Sequence, residues 1–171
     1  MGCVLTFIAV MDRNRVMASK KGVPWDLPAD RAHFRAYTAS QWLLVGRRTY
    51  LEMLGWFQPG QTPLVLTSDG GFDPPVGRRV ASTVEALALA AQAGAGELVH
   101  LGGASAFQEA MPYAGRMILT RVEGEEPPSG DLKYFPAWSE SDWTRKQVRY
   151  HAADRENAYA FQVETWERFS V

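Results

Sequence analysis

Pro24-Trp25-Asp26-Leu27-Pro28-Ala29-Asp30, followed four residues later by Phe34, is the stretch around which this chain of 171 residues is organised. Pro28 suits a first helical position, because its missing N–H costs nothing there and its fixed φ is already helical. Ala29-Asp30-Arg31-Ala32-His33-Phe34-Arg35 then carries the helix on. Asp30 and Phe34 are four apart and share one face. An acid in a first turn is by itself an ordinary partner for the helix dipole and faces water. Here it comes with a tryptophan between two prolines and a phenylalanine one turn on, so the face shared by Asp30 and Phe34 is the candidate active site.

Composition bounds the rest. With 46% hydrophobic and 22% charged residues, the chain fits one domain spanning residues 1–171, with a sizeable core. A net charge of −1 leaves no broad basic surface to neutralise a nucleic-acid backbone. Cys3 is the single cysteine, which excludes an internal disulfide and suits a reducing cytoplasm. His33, His100 and His151 lack zinc spacing, so no metal is expected. The apolar run from Gly2 to Met11 has no basic flank and is too short to span a bilayer, so it reads as a buried strand. Met1-Gly2-Cys3-Val4-Leu5-Thr6 also fits a permissive myristoylation pattern, outweighed because the same residues open a core strand. No membrane partner is expected, and the chain is expected to act as a monomer.

Along the chain, Val4 to Met11 predicts a central strand buried on both faces. Asp12-Arg13-Asn14-Arg15 breaks it, and Ala18-Ser19-Lys20-Lys21-Gly22 has the polar, mobile character of a surface loop or a lid leading into Trp25. Trp42-Leu43-Leu44-Val45 predicts a second strand, after which Tyr50, Met53 and Leu54 repeat at helical spacing. Leu64 to Leu66 and Arg78 to Ala81 predict two more strands. Thr83 is expected to cap an alanine-rich helix from Val84 to Gln92, closed by Gly94. Glu97 to Leu101 is a strand running into Gly102-Gly103 and a helix through Phe107 to Met111. Met117 to Val122 is the next strand, and an acidic, proline-rich stretch from Glu123 to Pro128 separates it from the tail. Thr144 to Tyr150 and Ala158 to Thr165 alternate as an antiparallel pair. The pattern is an α/β mixed sheet ending in a hairpin.

Phosphate chemistry is suggested by three junctions where a strand meets a helix, since helix N-termini at the carboxyl edge of an open sheet offer unpaired N–H groups to anions. Gly46-Arg47-Arg48-Thr49 brings two guanidinium groups, Thr67-Ser68 brings hydroxyls, and Gly102-Gly103 lets a pyrophosphate approach the backbone. Gly102-Gly103-Ala104-Ser105-Ala106 is not GxGxxG, and such a bend is more often a plain tight turn. The order of the motifs carries more than any one of them. The Pro24-Trp25-x-Leu27-Pro28-x-Asp30…Phe34 pattern resembles the substrate-site signature of the dihydrofolate reductase family. Gly46-Arg47-Arg48-Thr49 resembles that family's cofactor motif, Thr67-Ser68 its second phosphate contact and Leu101-Gly102-Gly103 its diglycine motif. Thr120 matches the strand threonine near the substrate's pteridine, and Gly130-Asp131 with Phe135-Pro136 resembles the late Gly-Asp…Phe-Pro loop.

The resemblance covers nearly the whole chain and implies an eight-stranded, mostly parallel mixed sheet with about four flanking helices and an antiparallel C-terminal hairpin. It implies NADPH along the strand ends, dihydrofolate beside Asp30, antifolates as ligands, and a cis peptide at Gly102-Gly103. Asp30, Trp25 and Thr120 would serve the chemistry, a hydride to C6 and a proton to N5 of the dihydropteridine. Ile8, Ala9, Val10 and Leu101 would line both rings, with Trp25 closing the lid. Phe34 with Met53 or Leu54 would pack the aminobenzoyl part, a one-residue length difference between Thr49 and Pro59 leaving both open. Cofactor contacts would extend to Met17, Ala18, Leu66, Ser82 with Thr83, Ala104, Ser105, Ala106 and Phe107. Burial is expected to raise the pKa of Asp30 against the pull of the helix dipole.

Some residues depart from the family pattern. Gln61 stands where an arginine usually forks onto the substrate's α-carboxylate, a contact worth roughly 1.5–3 kcal/mol; Arg31 and Arg35 are the candidate substitutes. Ala18, Ala104, Phe107 and the extra residues around Leu132-Lys133 bear on lid geometry. Gln41 to Arg47 resembles the same run in trimethoprim-insensitive members. A riboflavin-pathway pyrimidine reductase, another pterin reductase on the same fold, and a non-catalytic nucleotide-binding member are the competing readings.

Overall fold

The computed structural model describes residues 2–19, 24–124 and 131–169. The chain runs through β1 (Val4–Met11), β2 (Val16–Ala18), α1 (Pro28–Thr38), β3 (Trp42–Gly46), α2 (Arg47–Glu52), β4 (Thr62–Leu66) and β5 (Arg78–Val80). It continues with α3 (Thr83–Gln92), β6 (Glu97–His100), α4 (Ala104–Ala110), β7 (Ala114–Val122), β8 (Lys133–Tyr134), β9 (Trp143–His151) and β10 (Phe161–Arg168). Eight strands form one sheet in the order β5-β4-β3-β6-β1-β7-β10-β9. The strands from β5 to β7 in that order are parallel. β10 is antiparallel to β7, and β9 is antiparallel to β10. The sheet is thus the mixed, mostly parallel one expected, with four α-helices and the C-terminal hairpin.

β1 is the central ribbon because its sequence is apolar on both faces. Successive strand side chains point to opposite sides. Leu5, Phe7 and Met11 enter one core, with Ala86 and Ala90 of α3 and Ala106, Phe107 and Ala110 of α4. Ile8, with Val10 beside it, enters the other core, which holds Trp25, Leu27 and Tyr50 and is flanked by Ala29, Phe34 and Tyr37 of α1. The sheet therefore separates the Asp30 helix from α3 and α4. The far end of α1 is anchored at the amino edge of the sheet. Glu97 Oε2 there accepts from Thr6 Oγ1 at 2.6 Å, Tyr37 Oη at 2.5 Å and Arg116 Nη1 at 3.0 Å. Burial, then the Glu97 carboxylate, pushes the Tyr37 phenol up to about 12, so it remains a donor.

Four local expectations are corrected. Ser82, not Thr83, is the N-cap of α3, its hydroxyl accepting from Glu85 N–H at 3.0 Å. Helix α2 stops at Glu52, so Met53 is its C-cap and Leu54 lies in the turn beyond. The last strand starts at Phe161 and not at Ala158. Ala18 belongs to β2, where it pairs with Lys133 of β8. The rest of the expected lid, Lys20 to Gly22, lies outside the described residues, as do Glu125 to Pro128 and Gly130.

The small β2-β8 ribbon was missed because neither strand is long enough to show a period. Its anchor is Phe135, fully buried, with rings 6.1 Å from Phe7 and 5.2 Å from Phe107. Phe135 N–H also bonds Arg15 O at 2.8 Å. Phe135→Ala is expected to cost about 3–5 kcal/mol, as for other large buried aromatics. Urea unfolding monitored by tryptophan fluorescence checks it, and a loss under about 1 kcal/mol would mean that the ring is not part of the core.

Candidate active site

Asp30 is the third residue of α1, in the turn opened by Pro28. Thr120 reaches it from β7, where register pairs Thr120 with Val10 on one side and Val163 on the other. The Thr120 hydroxyl donates to Asp30 Oδ1 at 2.6 Å. Among the described residues none bonds Oδ2. Burial raises the Asp30 pKa above the ordinary carboxylate value, while the Thr120 hydrogen bond and the nearby His33 pull it down. Desolvation wins, in the direction expected from the sequence.

The surroundings of this acid are apolar. Ile8, Trp25, Leu27 and Leu101 are buried in the same core, and Val10, Phe34, Met53, Trp56 and Phe57 pack against it. Phe34 and Trp56 stack at 5.1 Å between ring centroids. Met53 packs against this core, whereas Leu54 is 42% exposed. Ala9 turns to the opposite face of the sheet, with Met17. Trp56 and Phe57 were not anticipated, although an aromatic pair just before the Pro59-Gly60 turn was a readable signal. Gln61 is used internally, donating to Thr38 O at 3.2 Å and accepting from Gln58 N–H at 2.8 Å. Arg31 pairs with Asp26 on the surface, and Arg35 is exposed.

At the neighbouring strand ends the backbones of β3 and β6 cross closely. Gly46 N–H donates to Gly102 O at 2.6 Å and Leu101 N–H to Leu44 O at 2.8 Å. The Gly102-Gly103 peptide is cis, and Gly102 has φ +105°. A Cβ on Gly102 would stand 3.0 Å from the Phe107 ring, and one on Gly103 2.9 Å from Thr49 Oγ1. No side chain fits at either position without displacing that neighbour.

His100, fully buried, was missed and fixes this bend. Its Nδ1 accepts Gly102 N–H at 3.0 Å while Nε2 faces Ala106 O at 3.3 Å. Burial drives its pKa down to about 3, so it stays neutral with the proton on Nε2. Phe107, expected at the cofactor, instead packs among Phe7, His100 and Phe135. Leu66 and Ala106 are likewise buried, Ala104 is half-buried and Ser105 exposed.

Arg47 and Arg48 open α2 with exposed guanidinium groups. Arg47 is steadied by Asp69 at 3.3 Å and lies over the Phe72 ring at 5.0 Å. Thr67 Oγ1 accepts Asp69 N–H at 3.1 Å, so it shapes the loop; Ser68 is exposed. Ser82 is committed to its capping bond.

Open α/β sheets take nucleotides at the carboxyl ends of their strands, near where the chain builds outward in both directions. In this sheet that place is the end of β1, flanked by the diglycine bend and by the half-buried Asp30, which is the arrangement of a nucleotide-binding α/β fold. The family model for dihydrofolate reductase matches residues 4–168. The chain is 32% identical over 165 residues to dihydrofolate reductase type 3 of Salmonella typhimurium, covering 96% of this chain and 98% of that one. It is 30% identical over 167 residues to the dihydrofolate reductase of Bacillus subtilis (strain 168), covering 96% and 95%. The dihydrofolate reductase from Enterococcus faecalis complexed with NADP(H) and RAB-propyl matches with a TM-score of 0.87 at 28% identity, covering 98% of this chain and 97% of that one. The chain belongs to the dihydrofolate reductase family.

A carboxylate whose pKa is raised on folding costs stability once it ionises. The cost is absent below the unfolded value of about 4, grows as pH rises through the raised value, and is complete above it. Asp30→Asn keeps the acceptor for Thr120 and removes the charge. It is expected to melt above the parent at pH 7 and to lose that advantage as pH falls below the ordinary carboxylate range. Calorimetry across that window checks the sign; an unchanged melting temperature at pH 7 would mean that Asp30 is solvated.

Proposed function

We infer that this protein reduces 7,8-dihydrofolate to 5,6,7,8-tetrahydrofolate with NADPH, hydride going to C6 and a proton to N5. The observation that carries this reading is the half-buried Asp30 carboxylate bonded to Thr120 beside the apolar core that α1 packs against. Desolvation raises its pKa in spite of the Thr120 hydrogen bond and the nearby His33, and a ligand with paired N–H donors suits such a carboxylate. The amino-pyrimidine edge of a pterin has that pair. Asp30 accepts both bonds, fixes the ring and polarises it toward protonation at N5, while Thr120 holds the carboxylate in plane. Ile8, Val10 and Leu101 flank the ring, and Phe34, Met53 and Trp56 take the aminobenzoyl part. Trp25 excludes water from the same side.

The residues at the strand ends suit NADPH. Bare backbone at Gly102 and Gly103 admits close approach, and Arg47 and Arg48 are free enough to fork onto phosphate oxygens, with Ser68 beside them. NADPH, when bound, supplies the hydride from its nicotinamide. Ala9, Met17, Ala18, Gly46, Thr49, Ala104 and Ser105 complete its surroundings. With Gln61 bonded to Thr38 and Gln58, and Arg31 to Asp26, Arg35 is left as the cation for the substrate's glutamate tail.

Among the described residues no helix is long and apolar enough to cross a membrane. The free Cys3 suits a reducing compartment, and we place the enzyme in the cytoplasm as a monomer. The run from Gln41 to Arg47 supports reduced sensitivity to trimethoprim, which an inhibition titration measures directly.

Asp30→Asn is expected to lower turnover at pH 7 by about 100-fold or more, while the dissociation constant for NADPH stays within about twofold. Steady-state rates of NADPH oxidation with dihydrofolate, together with a fluorescence titration of the cofactor, check both; undiminished turnover would remove Asp30 from the mechanism. Without a bidentate arginine at position 61, the KM values of dihydrofolate and of a tail-less dihydropterin are expected to differ by less than about tenfold. A hundredfold preference for dihydrofolate would show that the tail is gripped strongly.

A further inference from the structure

Helix α1 opens without a cap of its own. Leu27 stands at the N-cap and has no acceptor, and Pro28 has no N–H, so Ala29 carries the first backbone donor of the turn. Such donors need a partner, and a side-chain oxygen on the second or third helical N–H is the usual one. Ala29 N–H finds it 128 residues away, at Asn157 Oδ1, 3.0 Å distant. Asn157 is 3% exposed, in the loop that joins β9 to β10.

The amide of Asn157 has only one way to face. Asp154 Oδ1 accepts its Nδ2–H at 2.9 Å and its backbone N–H at 2.8 Å, and Glu156 N–H at 2.9 Å. Asp154 N–H returns a bond to Asn157 O at 2.9 Å. With Nδ2 committed to Asp154, Oδ1 alone is left for Ala29. Two residues on, the Tyr159 ring meets Trp25 edge-on, at 5.6 Å between centroids and 84° between planes. At Gly124, just past β7, a Cβ would stand 2.8 Å from Tyr159 Cε1 and 2.9 Å from Trp25 Cζ3. The loop therefore grips the segment from Trp25 to Ala29 at two points, and the next residue is Asp30.

We propose that the β9-β10 loop is a positioning device for the active-site acid: Asn157, oriented by Asp154, caps the Asp30 helix from outside, and Tyr159 braces Trp25. The proposal rests on the reading of Asp30 as the residue that grips substrate. Asp30 is in the turn that frays first when a cap is lost, and fraying carries its carboxylate away from Thr120. The β7-β10 pairing links the two sides, because Thr120 lies opposite Val163 on the strand that the loop enters. One hairpin thus holds both the threonine's strand and the acid's helix.

Asn157→Ala removes the cap and touches neither substrate nor cofactor. It is expected to raise the KM and the dissociation constant for dihydrofolate about tenfold, leave the NADPH dissociation constant within about twofold, and abolish hydrogen-exchange protection at the Ala29 amide. Asp154→Ala, which frees the amide to turn, is expected to shift the same quantities less, and Asp154→Asn, which keeps the Oδ1 acceptor, to restore them. Should Asn157→Ala fail to fold, the Asp154 pair carries the comparison. Equal losses of dihydrofolate and NADPH affinity, or a protected Ala29 amide in Asn157→Ala, would overturn the positioning role. If Asp30→Asn is inactive while Asn157→Ala matches the parent for dihydrofolate, positioning fails alone. If Asp30→Asn is fully active, the reading of Asp30 fails and the proposal falls with it.

Discussion

One half-buried carboxylate, bonded to the hydroxyl of a threonine on the sheet, is the constraint around which the rest of this molecule is arranged. Asp30 cannot hold that place through its own helix, because an isolated first turn leaves its donors unpaired and its side chain free to reach solvent. It is held because α1 is fastened at both ends. Tyr37 ties one end to Glu97 at the amino edge of the sheet, and Asn157 ties the other to the β9-β10 loop. Thr120 then meets the acid from the sheet itself. The desolvation that raises the Asp30 pKa is a cost to folding, only partly offset by the Thr120 hydrogen bond.

The cofactor side follows the opposite logic. Here side chains are kept out, with two glycines at the bend and Phe107 and Thr49 filling the space behind them. A neutral histidine, His100, locks the bend to β6 and α4, and its burial keeps it neutral throughout the range in which the enzyme works. The arginines sit farther out in solvent, Arg47 pairing with Asp69 over the Phe72 ring. Grip at one end and clearance at the other are both placed by β1, whose two apolar faces make it the wall common to the two halves.

Much of this was legible in the sequence for identifiable reasons. The helix start at Pro28, the strand of Val4–Met11 and the diglycine bend are local signals of φ restriction, periodicity and absent Cβ atoms, and each came out where expected. What differed was decided by turn geometry and packing. Thr83 is as good a cap residue as Ser82, and only the turn geometry chose between them. Met53 and Leu54 are both apolar, and α2 ending at Glu52 leaves Met53 packed against the core and Leu54 exposed. Gln61 stands where the family pattern has an arginine, and its amide is bonded to Gln58 N–H and Thr38 O.

The sequence by itself determined the class of fold and the order of the motifs along the chain, because these depend on residue type and spacing within a few turns. Only the tertiary structure decided that Asn157 caps a helix 128 residues away and that Tyr37 of that helix reaches Glu97 on β6. Hydrogen bonds between segments brought together by the sheet leave no periodic trace in either segment. Their partners can be found only once the strands have set the distances.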